Sequence, residues 1–181
     1  MLFVEEIVTT VDHVFFVITK ELNSLNELGE EKSFELSVTE LVQYAVIVIC
    51  IYRSPDGKFD TFLNKLKLLI QKLMVKHKTL ILCGDWKINF LQNSPKKREL
   101  NSLLLQYNLK DIVNVPTRIT KTIATLLDIV ITNEKKSMDL GLSDHYTQIL
   151  SVLTSDSNNI PHRAKKKESL VKLMFRYFFI Y

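Results

Sequence analysis

Two uninterrupted apolar stretches, separated by a segment of helical periodicity, restrict what this chain can fold into. Residues 45–52 read Ala-Val-Ile-Val-Ile-Cys-Ile-Tyr, and residues 79–83 read Thr-Leu-Ile-Leu-Cys. A strand without polar alternation is buried on both faces, as at the centre of an α/β sheet. From Phe59 to Met74, apolar residues recur at three- and four-residue steps and lysines occupy the opposite face, which predicts a helix. The order strand, helix, strand therefore predicts an α/β fold.

Weaker patterns extend this order along the chain. The further predicted strands span residues 13–19, 34–39, 127–132 and 148–153, and a second predicted helix spans residues 96–107. For residues 13–19 we favour a strand because β-branched and aromatic residues dominate, although the spacing also fits a helix. The predicted elements thus alternate over most of the chain, as they do in α/β proteins.

Length and composition fit one globular domain. The chain has 181 residues, of which 46% are hydrophobic and 24% are charged, so it can bury a core and does not have the composition of a disordered protein. The net charge of +4 would suit a polyanionic partner. A surface of mixed sign is the simpler explanation, because 20 acidic residues accompany the 24 basic ones.

The sequence indicates neither a secreted nor a membrane protein. Cys50 and Cys83 each lie inside an apolar stretch, so we expect buried free thiols in a reducing compartment rather than a disulfide or a metal site. The N-terminal segment contains Glu5 and Glu6 and lacks the basic leader of a secretory signal. No apolar run reaches the ~18 residues of a spanning helix, so no membrane partner is expected.

Acidic residues stand next to several predicted strands. Asp85 follows a buried strand and Gly84, Asp128 leads into the next strand, and Asp144 with His145 precedes the last one. Strand ends of α/β sheets are where loops converge to form sites, and carboxylates there can hold Mg²⁺ beside a general base. Acidic residues at strand ends also cap helices and close turns, so spacing alone leaves both interpretations open.

Five short blocks follow one another in a fixed order. They are Ile51-Tyr-Arg-Ser-Pro55, Cys83-Gly-Asp-Trp-Lys-Ile-Asn89, Pro116-Thr-Arg-Ile-Thr120, Leu127-Asp-Ile-Val-Ile-Thr-Asn133 and Leu142-Ser-Asp-His145. Block by block, they resemble the tyrosine-arginine-proline, GDFN, PTR-I-T, LD-x-I-x-TN and SDH motifs of non-LTR (LINE-type) retrotransposon endonucleases. These enzymes are a branch of the endonuclease/exonuclease/phosphatase family.

The resemblance covers roughly residues 13–153. It implies a two-sheet α-β-β-α sandwich of the DNase I-like type, incomplete at its N-terminus, within a domain spanning residues 1–154. Residues 155–181 would form a basic linker and an apolar tail. The implied activity is Mg²⁺-dependent nicking of DNA at a phosphodiester. DNA would be the partner, together with a reverse transcriptase domain of the parent element, inside the cell and in the nucleus.

The resemblance also implies a role for each matching residue. By this likeness, Asp85 orients the attacking water, Tyr52 contacts the scissile phosphate, and Asp144 helps to hold Mg²⁺. His145, held by Asp128, acts at the phosphate. The substrate-binding residues would be Arg118 and Asn89. Such a set suits the chemistry, because cleavage requires an in-line water, a cation and an imidazole kept in one tautomer.

Two departures from the family pattern predict weak or absent activity. Lys87 stands where the family has asparagine, and its ammonium can pair with Asp85 and oppose metal entry. The family's upstream metal-binding glutamate has no counterpart in the matching segment. The alternative is a catalytically inactive relic that at most binds nucleic acid. A third hypothesis keeps the fold but has a phosphomonoester or phospholipid as substrate. The Pro116-Thr-Arg118 block is evidence against it.

Overall fold

A six-stranded mixed sheet is the centre of the fold in the computed structural model, which describes residues 19–74, 78–119, 122–133, 147–155 and 168–176. The strands are β1 Thr19–Glu21, β2 Glu35–Leu41, β3 Val46–Tyr52, β4 Thr79–Asp85, β5 Lys110–Asp111, β6 Arg118–Ile119, β7 Ala124–Thr125, β8 Asp128–Thr132, β9 Thr147–Ser155 and β10 Glu168–Arg176. The helices are α1 Asn23–Asn26, α2 Phe59–Met74 and α3 Pro95–Gln106, and a 3-10 turn spans Val42–Tyr44.

The sheet has the strand order β1-β2-β3-β4-β8-β5. Its two central strands, β3 and β4, run parallel and are joined through α2, while every other neighbouring pair is antiparallel. The β6–β7 and β9–β10 pairs form separate two-stranded sheets. This topology turns the ends of β3 and β4 and the beginning of β8 toward one edge of the sheet, because β8 runs opposite to β4.

The apolar patterns of the sequence form a single buried core. Every residue from Val46 to Ile51 is buried, as are the residues of β8. Helix α2 buries one stripe at three- and four-residue steps, consisting of Phe62, Leu66, Leu69, Ile70 and Leu73. The apolar side chains among them all belong to the same hydrophobic cluster.

The predicted helices and the strands at 34–39, 45–52, 79–83, 127–132 and 148–153 are confirmed, with ends that shift by a few residues. The α/β class is confirmed with them, whereas the two-sheet sandwich stays a prediction. Residues 13–18 of the first predicted strand lie outside the described residues. Strand β10 pairs with β9 over its full length and so gives part of the C-terminal segment a partner that its sequence did not reveal.

The two cysteines face each other inside the sheet. Cys50 and Cys83 are register partners on β3 and β4, both are buried, and their Sγ atoms lie 3.4 Å apart. They are free thiols, as predicted. The hydrogen bond with Cys50, together with burial, raises the pKa of the Cys83 thiol well above its usual value, so this thiol is protonated at neutral pH.

None of the helices in the described part of the chain has the length and apolar composition needed to cross a membrane.

Candidate functional site

Three of the five sequence blocks meet at one edge of the sheet. Tyr52 ends β3, Asp85 ends β4, and Asp128 begins β8. Asp85 and Asp128 are direct cross-strand partners, which brings the two carboxyl-bearing residues together although they are 43 positions apart in the sequence. Asp144 and His145 lie outside the described residues, so their convergence on the same edge stays a prediction.

Gly84 allows β3 and β4 to come this close. Its φ is +135°, a conformation that side chains disfavour, and a Cβ atom at this position would overlap the backbone carbonyl oxygen of Ile51. Just beyond, the backbone N–H of Arg53 donates to the carbonyl oxygen of Asp85 at 3.1 Å. The glycine of the second block therefore fixes how the ends of the two strands pack.

The Asp85 carboxylate is engaged by one residue through both of its oxygens. The backbone N–H of Lys87 donates to Oδ1 at 3.1 Å, and the Lys87 ammonium forms an ion pair with Oδ2. Lys87 has a φ of +53°, a left-handed conformation in which asparagine is several-fold enriched over lysine. The asparagine of the family motif would suit this backbone conformation better than lysine does.

The Lys87 ammonium also approaches an aromatic ring of the site. Its Nζ atom lies 5.7 Å from the centroid of the Tyr52 ring, within the range of a cation–π interaction. The side chain of Asp85 is 2% exposed and that of Lys87 is 21% exposed. The lysine, rather than the carboxylate, is therefore the member of the pair that solvent reaches.

Arg53, to which the sequence analysis gave no role, holds the loop after β4. Its guanidinium donates to the carbonyl oxygens of Trp86 at 2.9 Å, Lys87 at 3.0 Å and Gly57 at 2.7 Å. It also lies over the Phe62 ring, 5.9 Å from the centroid. Burial lowers the pKa of Arg53 and the charge of Asp85 opposes this, but a guanidinium stays charged at neutral pH. An arginine directly after a buried strand was the signal that could have indicated this role.

Asp128 is a buried carboxyl whose charge is disfavoured. Burial, followed by the nearby charge of Asp85, raises its pKa from 3.8 to about 6. A hydrogen bond with Thr117 and the charges of Lys87 and Arg118 act in the opposite direction. The Thr117 hydroxyl oxygen also accepts the backbone N–H of Asp128 at 3.2 Å, so the third block positions the first residue of β8.

The two expected substrate-binding residues occupy different environments. Arg118 is exposed on β6, close enough to Asp128 to influence its charge. The side-chain oxygen of Asn89 accepts the backbone N–H groups of Leu91 at 3.1 Å and Leu126 at 3.2 Å, which ties the loop after β4 to the residues before β8. Contact of either residue with a substrate stays a prediction.

The asparagine of the fourth block lies at the opposite end of the sheet from Asp85. The side-chain oxygen of Asn133 accepts the backbone N–H of Leu80 at 2.8 Å, and its amide nitrogen donates to the carbonyl oxygen of Lys78 at 3.2 Å. Asn133 therefore anchors the end of β8 to the beginning of β4. This block contributes both to the site, through Asp128, and to the stability of the sheet.

The described residues do not fit a divalent cation at Asp85. A cation there would have to displace the Lys87 ammonium from Oδ2 and approach a second positive charge, that of Arg53. Within the described ranges, no group of three or more histidine, cysteine, aspartate or glutamate side chains could hold a metal ion. Asp144, the residue expected to hold Mg²⁺, lies outside these ranges.

No protein-family model matches the chain, and no curated protein matches its sequence. Among solved structures, the fold is similar to that of the endonuclease domain of TRAS1, a telomere-specific non-LTR retrotransposon, with a TM-score of 0.51 and 14% identity. The match covers 89% of this chain and 68% of that one. An acetyltransferase-type structure from Sphaerobacter thermophilus DSM 20745 matches 54% of this chain and 56% of its own length, with 15% identity and a TM-score of only 0.37. The chain therefore has a mixed α/β fold similar to that of a retrotransposon endonuclease domain.

Proposed function

We propose that this chain is a retrotransposon-type endonuclease domain that binds DNA at the edge formed by Tyr52, Asp85 and Asp128 and cleaves a phosphodiester there slowly. The observation that carries the proposal is the cross-strand pairing of Asp85 with Asp128 beside the end of β3. The shared α/β fold agrees with it. The proposal includes the two-sheet sandwich of the family, of which the six-stranded sheet would be one layer.

Each residue of the site would have a separate role in cleavage. Asp85 orients a water molecule, and Tyr52 contacts the phosphate. Asp128 holds His145 in one tautomer so that its imidazole can act at the phosphoryl group. Mg²⁺ is the cofactor implied by the resemblance, with Asp144 as its ligand, and it would offset negative charge on the phosphate. Asp85 itself would not hold the cation, because its carboxylate already pairs with the Lys87 ammonium.

Slow cleavage follows from the geometry of the Asp85–Lys87 pair. A carboxylate that already accepts from a backbone N–H and an ammonium has less capacity left to accept a hydrogen bond from water. Losing one positioned polar group in such a site typically lowers the rate on the order of a hundred-fold.

The parent element would supply a reverse transcriptase domain as the partner of this domain.

Nicking of supercoiled plasmid DNA tests the proposal. With Mg²⁺, we expect the unmodified chain to nick on the order of a hundred-fold more slowly than the retrotransposon endonuclease domain that shares its fold. Asp85→Ala and His145→Ala should each abolish the remaining activity. Asp56→Ala, in an exposed turn, is the matched control and should leave it unchanged. Nicking that persists in Asp85→Ala would show that this edge is not the catalytic site.

A second candidate function is favoured by the same Asp85–Lys87 pair. If the ammonium blocks the carboxylate completely, the chain is a catalytically inactive domain that only binds nucleic acid. DNA binding without detectable nicking, under conditions where the related domain cleaves, would select this candidate. Rapid Mg²⁺-dependent nicking that is lost in Asp85→Ala would contradict both candidate functions, the slow enzyme and the inactive domain. The chain would then be an efficient endonuclease.

A further inference from the structure

Lys87 stands where Asp85 would otherwise meet a cation from solution. Both oxygens of the buried carboxylate are engaged by this residue, one through its backbone and one through its ammonium. The ammonium therefore neutralises Asp85 from within the chain. A divalent cation adds little in such a place, because the charge it would compensate is already paired.

The ammonium of Lys87 is the part of the Asp85–Lys87 pair that solvent reaches. The side chain of Asp85 is 2% exposed and that of Lys87 is 21% exposed, so a ligand from solution meets the cation before the carboxylate. The charges of Lys87 and Arg118 also act on Asp128. A phosphate of the nucleic-acid backbone is an anion that an ammonium in this position attracts.

We infer that Lys87 is the resident cation of this site, and that its ammonium binds a DNA phosphate directly, so that DNA binding requires no divalent cation. This inference rests on the proposed function, which supplies the substrate class. The ammonium that pairs with Asp85 is partly exposed, and an ammonium can donate to more than one oxygen, so a phosphate oxygen can approach it from solvent. The Tyr52 ring, 5.7 Å from Nζ, and the pair with Asp85 keep that ammonium at the edge where the strands end.

Fluorescence anisotropy of a labelled DNA duplex, with the full chain, measures this directly. Titrations in EDTA and in Mg²⁺ at equal ionic strength should give dissociation constants that agree within about two-fold. Lys87→Asn should weaken binding in EDTA roughly ten-fold, the loss expected for one charge-assisted contact. It should also reduce the slope of log affinity against log salt concentration by about one. Lys87→Arg, which keeps the charge, should bind in EDTA as the unmodified chain does.

Two controls separate a local effect from a general one. Lys67→Asn removes the same charge from an exposed position on α2 and should change the affinity much less. Lys87→Asn should fold, since asparagine tolerates the left-handed backbone at this position, and circular dichroism checks this. In addition, Mg²⁺ should raise the unfolding temperature of Lys87→Asn more than that of the unmodified chain.

The outcomes also separate this inference from the proposed function. Binding that appears only with Mg²⁺, or that Lys87→Asn leaves intact in EDTA, would overturn the inference while the DNA-processing function stands. An equal Mg²⁺-induced rise in unfolding temperature in both chains would overturn it too, because Lys87 would then not compete with Mg²⁺ at Asp85. An absence of DNA binding in every buffer would overturn the proposed function itself, and the inference with it.

Discussion

The guanidinium of Arg53 determines the path of the loop that carries the site. It contacts three backbone carbonyl oxygens, two of which belong to the residues directly after Asp85. Neither partner could be deduced from the sequence, because Arg53 is separated from Trp86 and Lys87 by more than thirty positions. The sequence did predict the position of Asp85 after a buried strand and a glycine, and the pairing of the Lys87 ammonium with its carboxylate. It did not predict the left-handed backbone of Lys87, whose N–H donates to the same carboxylate.

Replacing Arg53 should destabilise the fold and loosen this loop. Arg53→Met keeps most of the apolar stem but leaves three buried or half-buried carbonyl oxygens without their donor. We expect the free energy of unfolding to fall by about 2–4 kcal/mol, measured by urea denaturation. Arg98→Met, at an exposed position on α3, should change it by less than about 0.5 kcal/mol. Equal effects of the two substitutions would contradict the positioning role.

Asp128 should make the fold less stable as pH rises from about 4 to about 6. Its pKa is about 6 in the folded chain, compared with a usual value of 3.8, so the folded state binds more protons in this window. The unfolding free energy contributed by this group therefore falls by about 2–3 kcal/mol across the window. Asp128→Asn removes this contribution.

The measurement is a pair of urea titrations at several pH values. The stability of Asp128→Asn relative to the unmodified chain should increase with pH across the window, while the exposed control Asp111→Asn should follow the unmodified chain. Parallel profiles for Asp128→Asn and the unmodified chain would show that this carboxyl titrates normally.

At the scale of the elements, those that bury a long apolar pattern were the ones that the sequence predicted. Strands β3 and β4 and helix α2 were predicted because each contributes such a pattern to the core. The two-residue strand β5 is exposed and exists only through its pairing with β8, so it has no local pattern to detect. Helix α1 has four residues and was not among the elements that the sequence predicted.

The anchoring of β8 by Asn133 should affect stability and not DNA binding. Asn133→Ala leaves the backbone N–H of Leu80 and the carbonyl oxygen of Lys78 without a side-chain partner. We expect a loss of about 1–3 kcal/mol in unfolding free energy, with DNA affinity at low temperature unchanged. Asn93→Ala, in an exposed loop, is the control. A large drop in DNA affinity of the folded Asn133→Ala variant would instead place this residue in the binding surface.

At the scale of the whole molecule, the two sides of the described sheet differ. On one side it ends in β5, which has two residues, whereas β2, β3 and β4 have seven each. A short outer strand offers little unpaired backbone to another chain, which limits aggregation. On the other side, Thr19–Glu21 pairs with β2, and the residues after it add Leu22 and Leu25 to the core.

Deleting residues 1–28 should lower the unfolding temperature and promote aggregation. The deletion exposes the long edge of β2 and removes two buried leucines. Scanning calorimetry and light scattering measure the two effects. The full-length double variant Leu22→Ala and Leu25→Ala retains β1 and should be destabilised with less aggregation than the deletion. An unchanged unfolding temperature after the deletion would contradict the stabilising role of this segment.

The thiols of Cys50 and Cys83, which face each other between β3 and β4, can be used to detect separation of these two strands. A maleimide reagent requires a thiolate and access to it. Both sulfurs are buried until β3 and β4 separate, and the raised pKa of Cys83 also keeps that thiol protonated. The rate at which mass spectrometry detects alkylation therefore measures opening of the central strands. Applied to each variant above, this single readout distinguishes a change confined to the loop after β4 from one that loosens the sheet beneath it.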